Sequence, residues 1–418
     1  MLRKEELEEL VSAGIISHDK AAEIHAYFQE KQSQRPNRIL IAFGILGALL
    51  VGLGIILLVA HNWDHLSSVV KTIIAFVPVI ISQGLVGHTL WKRPHQRAMI
   101  ESTVVLLILS VGACLAMVSQ IYNIPGTIST FMMTWVLLSA PLVYIAQSSM
   151  ASLLVILGIT YYGVDVGYDH RRGHLPYAYW GIMLMVLPYY WKLIKDYPKS
   201  NFTIFHHWFF PGSVSITLGV FGSEHGFWLF PAYMGLSVIW LVMAEKVQGK
   251  NLFQNGYKVL GFAGVFIILL LSTFDFFWNE VGEMQRFFSG REFMLTLSLL
   301  ALSVITSLVL KNLSKTSHWI ILGCSFLVLF VFGRYFPTAA QVVANLAMML
   351  LGVFYLREGA RTGRLSKMNL GFLIIMAVVL SRFFDGEISF VLRGLVFVIM
   401  GMAFFGANYY MIKHKAHE

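Results

Sequence analysis

The stretch from Arg38 to Ala60 reads RILIAFGILGALLVGLGIILLVA. Behind its leading arginine it holds no charged, amide or hydroxyl side chain. At 1.5 Å of rise per residue, a helix of about 20 such residues crosses the hydrocarbon core of a bilayer. Gly44, Ala48 and Gly52 recur every four residues, leaving one face of that helix almost bare and open to close approach by a neighbour. Gly47, Gly52 and Gly54 crowd the same run. With no strand before them and no polar residue among them, they do not read as a phosphate-cradling loop.

Outward from this stretch the pattern repeats. Apolar runs follow near 70–90, 98–120, 129–146, 148–166, 177–191, 205–222, 226–244, 258–278, 292–310, 318–334, 338–356, 368–384 and 388–411. The chain therefore reads as an all-α polytopic transmembrane bundle of about fourteen spans. Composition agrees: 57% of the residues are hydrophobic and 13% charged, whereas a soluble chain carries about a quarter charged. The net charge of +9 raises the question of nucleic acid. The positive residues stand in short loops beside apolar spans and form no basic stripe, so no nucleic-acid partner is expected. With the N-terminus on one side and fourteen crossings, 23 of the 31 Lys and Arg residues fall on the side of the termini and 8 on the other. That bias predicts both termini in the cytoplasm.

Residues 1–37 are polar and acidic, unlike a cleavable leader, and the first span is expected to remain as an anchor. They read as a small helical hairpin. Glu5, Glu6, Glu8 and Glu9 begin one helix, Gly14 closes it, and Ser17 caps a second with Asp19 in its first turn. Behind the hairpin, three membrane regions are expected: 38–166, 167–317 and 318–418. The last contains two similar helical hairpins, near 318–356 and 368–411.

Charge inside a membrane is costly and usually functional, so the few buried polar groups are the candidates. Arg393 lies about five residues into the last span, or ~8 Å below the interface. Across the Gly386 turn stand Arg382 and Asp385, and Arg334 ends an earlier helix at similar depth. The group reads as a clamp between hairpins or as an outward-facing anion or carboxylate site. Gln341 and Asn345 share a helix face, for interhelical hydrogen bonds or a polar lining. The aromatics near these helix ends read as an interfacial belt. His61, Asp64 and His65 have the one-turn spacing of a metal pair, but isolated pairs arise readily among 14 histidines, so no metal is expected. His206 and His207 read as interface markers. Cys114 and Cys324 read as small buried hydrophobes, and no cofactor is indicated.

The run Ser12-Ala13-Gly14-Ile15-Ile16-Ser17, then Gly47-Ala48-Leu49-Leu50-Val51-Gly52-Leu53-Gly54, then Ala60-His61-Asn62-Trp63-Asp64, forms an ordered set of motifs. It continues with Ser119-Gln120-Ile121-Tyr122-Asn123, Trp135 and Pro141-Leu142. From the N-terminus to about position 160 the chain resembles a bacterial family of predicted membrane proteins, domain-of-unknown-function family two-one-five-seven. His61 departs from the small residue the pattern favours there, which speaks further against a metal. Arg382-Phe383-Phe384-Asp385 with Gly394, Gly401 and Asn408 resembles the tail of such proteins; residues 170–320 resemble nothing. The resemblance implies a multi-span inner-membrane protein and brings no activity, cofactor or catalytic residue.

Three functions stay open. Transport of a small solute or ion follows from the number of spans, the hairpin repeat and the buried charges. A scaffold or sensor recruiting a protein partner through the N-terminal hairpin is the alternative. An enzyme on an envelope or lipid-linked substrate is the third, weakened by the lack of any nucleophile elbow, P-loop or paired carboxylate. Besides the bilayer, a second copy of the chain is a further possible partner, through Gly44, Ala48 and Gly52.

Overall fold

The computed structural model describes residues 11–23, 65–168, 175–222, 226–247, 252–284, 287–288, 290–310 and 313–383, with short helical pieces between 394 and 406. The chain divides into two compact units, Met1–Ile74 and Ala75–Glu418. In the first, Gly14 adopts φ +71° and the Ser17 hydroxyl accepts from the Lys20 amide at 3.4 Å. The first expected span and the Gly44, Ala48, Gly52 face lie outside the described residues, as do His61 and Asp64; His65 is exposed.

From Ser68 to Phe383 the regular elements among the described residues are all helices, with no strand. The helices are α1 Ser68–Lys92, α2 Arg97–Ile121, α3 Ile128–Ser139, α4 Pro141–Ile145, α5 Ser149–Gly167, α6 Tyr177–Asp196 and α7 Asn201–Leu218. They continue as α8 Leu229–Ala244, α9 Gly256–Leu271, α10 Asp275–Glu283, α11 Arg291–Val309, α12 Leu313–Tyr335, α13 Pro337–Arg361 and α14 Leu365–Phe383. Every expected apolar run from 70 to 384 coincides with one or two of these. Seven described segments are long and apolar enough to cross a membrane, or eight if α9 and α10 form one bent span. α8 and α14 are apolar but shorter, and α6 and α7 carry prolines, tyrosines and histidines in their interiors.

Local chemistry sets the breaks. α2 ends where Asn123 turns left-handed at φ 49°, and the Ile124 amide bonds back to the Ser119 carbonyl at 2.9 Å. This is the closure a left-handed Asn supports. Pro141 starts α4 at its first turn, where its missing N–H costs nothing. Ser148, Ser200 and Asn255 cap α5, α7 and α9 with side-chain oxygens.

Two hydrophobic cores form within residues 75–418. One gathers α1 to α8 around Ile108, Ile156, Ile159, Tyr179 and Val186. The other joins α8 to α14 around Trp278, Phe277, Phe330, Ala344 and Met348. α8 contributes to both and is buried on nearly every side, as befits a helix apolar all round. In α5, half of the membrane-length window is buried inside the protein, against 28% or less in the other six spans. Much of its surface therefore meets protein, while Leu157 and Tyr161 stay exposed. α13 and α14 pack so closely that a Cβ on Gly359 would collide with the Met368 amide nitrogen. Cys114 is buried as expected, but Cys324, expected to be buried, is exposed on α12, on a side that no other described helix covers.

Candidate functional site

At the α9–α10 junction the chain bends by 81°. No glycine or proline marks the break, which falls at Ser272-Thr273-Phe274. The Ser272 and Thr273 hydroxyls bond back to the Leu269 and Leu270 carbonyls, both at 2.7 Å, and such back-bonding bends helices. The bend frees backbone carbonyls that lipid cannot satisfy. Trp278 Nε1 donates to the Ser272 carbonyl at 2.6 Å. Asn345 Nδ2 donates to the Thr273 carbonyl at 3.1 Å and to the Gln341 carbonyl at 2.8 Å, and Gln341 Nε2 reaches Thr273 O at 3.4 Å.

Two of the sequence candidates thus meet at one carbonyl. Arg334 goes elsewhere: its guanidinium donates to the Val281 carbonyl at 3.3 Å and lies 5.7 Å from the Phe287 ring centre. Ser381, the residue before Arg382, places its hydroxyl 3.5 Å from that of Thr273. The side chain of Arg382, and residues Asp385 and Arg393, lie outside the described residues. Among the described residues, no three His, Cys, Asp or Glu side chains cluster as a metal site would require.

A second polar group, which sequence reasoning passed over, runs along the faces that α5, α6 and α7 turn toward one another. Ser149, Ser152 and Thr160 share one face of α5, since a helix of about 3.6 residues per turn brings these positions back to nearly the same direction. His206 and Ser213, seven apart, share a face of α7. α6 adds the hydroxyls of Tyr179, Tyr189 and Tyr190. All except the partly buried Thr160 are buried. The distance from Ser149 to Thr160 is about 16 Å along the axis, half a hydrocarbon core.

Glu101 of α2 heads this seam. It is 7% exposed and faces the N-terminus of α5. Its carboxylate accepts from the Ser149 and Met150 amides, both at 2.9 Å, and from the Ser148 hydroxyl. A carboxylate suits a helix N-terminus, where unsatisfied N–H groups carry partial positive charge. Ion pairs among the described residues are Arg291–Glu292 at 3.9 Å and Lys367–Glu358 at 3.1 Å; Glu101 is in neither. The Ser149 hydroxyl sits 2.9 Å from that of Tyr189, which donates to the Gln147 carbonyl at 2.9 Å.

One turn further in, His206 Nδ1 lies 2.7 Å from the Phe202 carbonyl and Nε2 lies 2.8 Å from the Ser152 hydroxyl. A carbonyl only accepts, so Nδ1 carries the proton and the neutral ring's Nε2 accepts from Ser152. Tyr190 stacks on His206 at 5.5 Å between centres. Its hydroxyl contacts His207 Nδ1 at 2.5 Å and the Tyr257 hydroxyl at 2.8 Å. Hence Tyr190 donates to one and accepts from the other. His206 and His207, expected from the sequence as interface markers, are packed inside the protein at 0% and 3% exposure. Deeper still, the Ser213 hydroxyl meets those of Thr160 at 2.5 Å and Tyr179 at 2.8 Å. By register, Ile156 and Val186 separate this last group from the histidines.

The seam holds a carboxylate, two imidazoles and several phenols, each with hydrogen-bonding partners, a composition suited to holding and passing protons. Its signal in the sequence was the 149, 152, 160 spacing on α5 matched by 206 and 213 on α7. The partners, far apart along the chain, carried no local mark. The beginning of the seam, from Glu101 to Ser152, falls within a region of known likeness. Neither a curated protein nor a solved structure matches the chain. Residues 8–152 match the family model described as Predicted membrane protein (DUF2157), the same family that the N-terminal motifs resemble.

Proposed function

We propose that this membrane protein transports a small solute or ion through its helical bundle, in a bacterial inner membrane and with both termini in the cytoplasm. The orientation is supported by the 23 Lys and Arg residues on the side of the termini against 8 opposite. The observation that carries the transport reading is Glu101. A carboxylate this buried in a membrane-length helix, held by neutral donors with no ion pair, is the kind of group that membrane proteins retain for moving protons or ions. The seam behind it extends the polar environment toward mid-membrane. In this reading Gln341 and Asn345 clamp the broken helix, because both side chains donate to the Thr273 carbonyl. Arg334, Arg382, Asp385 and Arg393 are the outward end.

Purified protein in liposomes containing a pH-sensitive dye tests this against a panel of ions and small metabolites. Wild-type vesicles are expected to show a solute-dependent change in internal pH. Glu101→Gln is expected to lower it at least tenfold while remaining a monodisperse, folded protein. Vesicles that behave like empty ones across the whole panel would sink the reading.

A further inference from the structure

The end of the seam at Glu101 is also where unpaired positive charge gathers. Gln147, in the turn between α4 and α5, is exposed and takes two cations at once. Arg97 donates to its backbone carbonyl at 3.2 Å and Lys192 Nζ donates to its side-chain oxygen at 3.0 Å. Both partners are neutral. The nearby Glu101 carboxylate accepts from Ser148, Ser149 and Met150 and is in ion-pair range of neither cation.

Two further cations stand at the adjoining end of α1. Arg93 lies 3.3 Å from Met99 Sδ and Lys92 lies 4.6 Å from the Trp91 ring centre, again without a carboxylate in ion-pair range among the described residues. Trp91 and Trp191, each beside one of these lysines in sequence, are 80% and 69% exposed. Exposed tryptophans of a membrane bundle sit at headgroup level. The cations therefore lie where lipid phosphates lie.

We propose that Arg97 and Lys192, flanking Gln147, form a site for a phosphate-bearing anion, supplied by the headgroup of an anionic phospholipid. The inference rests on the membrane character of the helices and is independent of the transport reading. Arg97 offers a planar fork of donors and Lys192 a point charge, a combination suited to phosphate. An anion there would join the neutral oxygens of Gln147 as a partner to both, using the N–H donors that these two bonds leave over. Basic groups between helices on the cytoplasmic side recognise headgroups in this way.

The test is thermal unfolding of the full-length protein in detergent, titrated with phosphatidylglycerol, phosphatidylcholine or inorganic phosphate. Phosphatidylglycerol is expected to raise the midpoint, with binding weakened about fivefold by either Arg97→Gln or Lys192→Gln and about twenty-five-fold by both. Lys195→Gln, one turn on and also exposed, is expected to leave binding within twofold. Should the double variant not fold, the wild type still decides: its lipid response must weaken as salt rises. A response to phosphatidylcholine equal to that of phosphatidylglycerol, an equal loss in Lys195→Gln, or indifference to salt would each overturn the proposal. A matching response to inorganic phosphate, lost in the same variants, would uphold the phosphate site and assign it to a soluble anion.

Discussion

Asn123 and Gln147 both hold left-handed backbone, at φ 49° and 46°, for different reasons. Asn adopts that region readily and ends α2. Gln does not, and the conformation costs an ordinary L-residue roughly 1–2 kcal/mol. What offsets this at Gln147 is its tethers: Arg97 and Tyr189 on the carbonyl and Lys192 on the side chain. The strain sits beside the Glu101 carboxylate, in keeping with the tendency of strained backbone to gather at functional positions. Gln147→Val adds a β-branch where φ is positive and is expected to lower stability by about 1–2 kcal/mol, whereas Gln147→Gly is expected to cost under ~0.5 kcal/mol. Thermal midpoints in detergent check the pair. Equal losses would mean that the side-chain tether, not the backbone, governs the turn.

Among the elements, α13 and α14 show what glycine does in a membrane. A Cβ on Gly371 would come within 2.6 Å of the Leu356 amide nitrogen, and one on Gly359 would collide with that of Met368. Backbone cannot yield as a flexible side chain can, so Gly359→Ala and Gly371→Ala are each expected to cost about 1–3 kcal/mol by forcing the helices apart. Gly84→Ala on α1, where nothing lies within 4 Å of the added atom, is expected to be neutral within ~0.5 kcal/mol. Similar losses at all three would argue against close packing as the cause. The broken helix of α9 and α10 marks the limit of reading elements from sequence. Its apolar content was plain, so one continuous span was expected. The bend depends on Ser and Thr hydroxyls and on the amides of Gln341 and Asn345, which arrive from α13, four helices further along the chain. The i, i+4 spacing of that pair was legible, but their acceptor at Thr273 was not.

For the molecule as a whole, the helices were legible because lipid imposes one rule: a run of about 20 apolar residues closes its own hydrogen bonds as a helix. Which faces meet is a different matter. Ser, Thr and Tyr are ordinary in membrane helices, and nothing in the neighbourhood of Ser152 announces His206. The seam exists only once α5, α6 and α7 are packed. So the helices could be read from the chain, whereas the principal candidate site required the tertiary structure. Trp240 belongs to one hydrophobic core and Phe330 to the other. Trp240→Ala and Phe330→Ala are each expected to lower stability by about 3–5 kcal/mol, and to do so in a single calorimetric transition. Two resolved transitions, one moved by each variant, would refute that expectation. The reason for a single transition is α8. Met234 and Leu241 serve one core while Leu236 and Trp240 serve the other, so neither core can melt without removing a wall of its neighbour. The helix that touches least lipid is thereby the one through which cooperativity passes, and damage at either end of the bundle should be felt at the other.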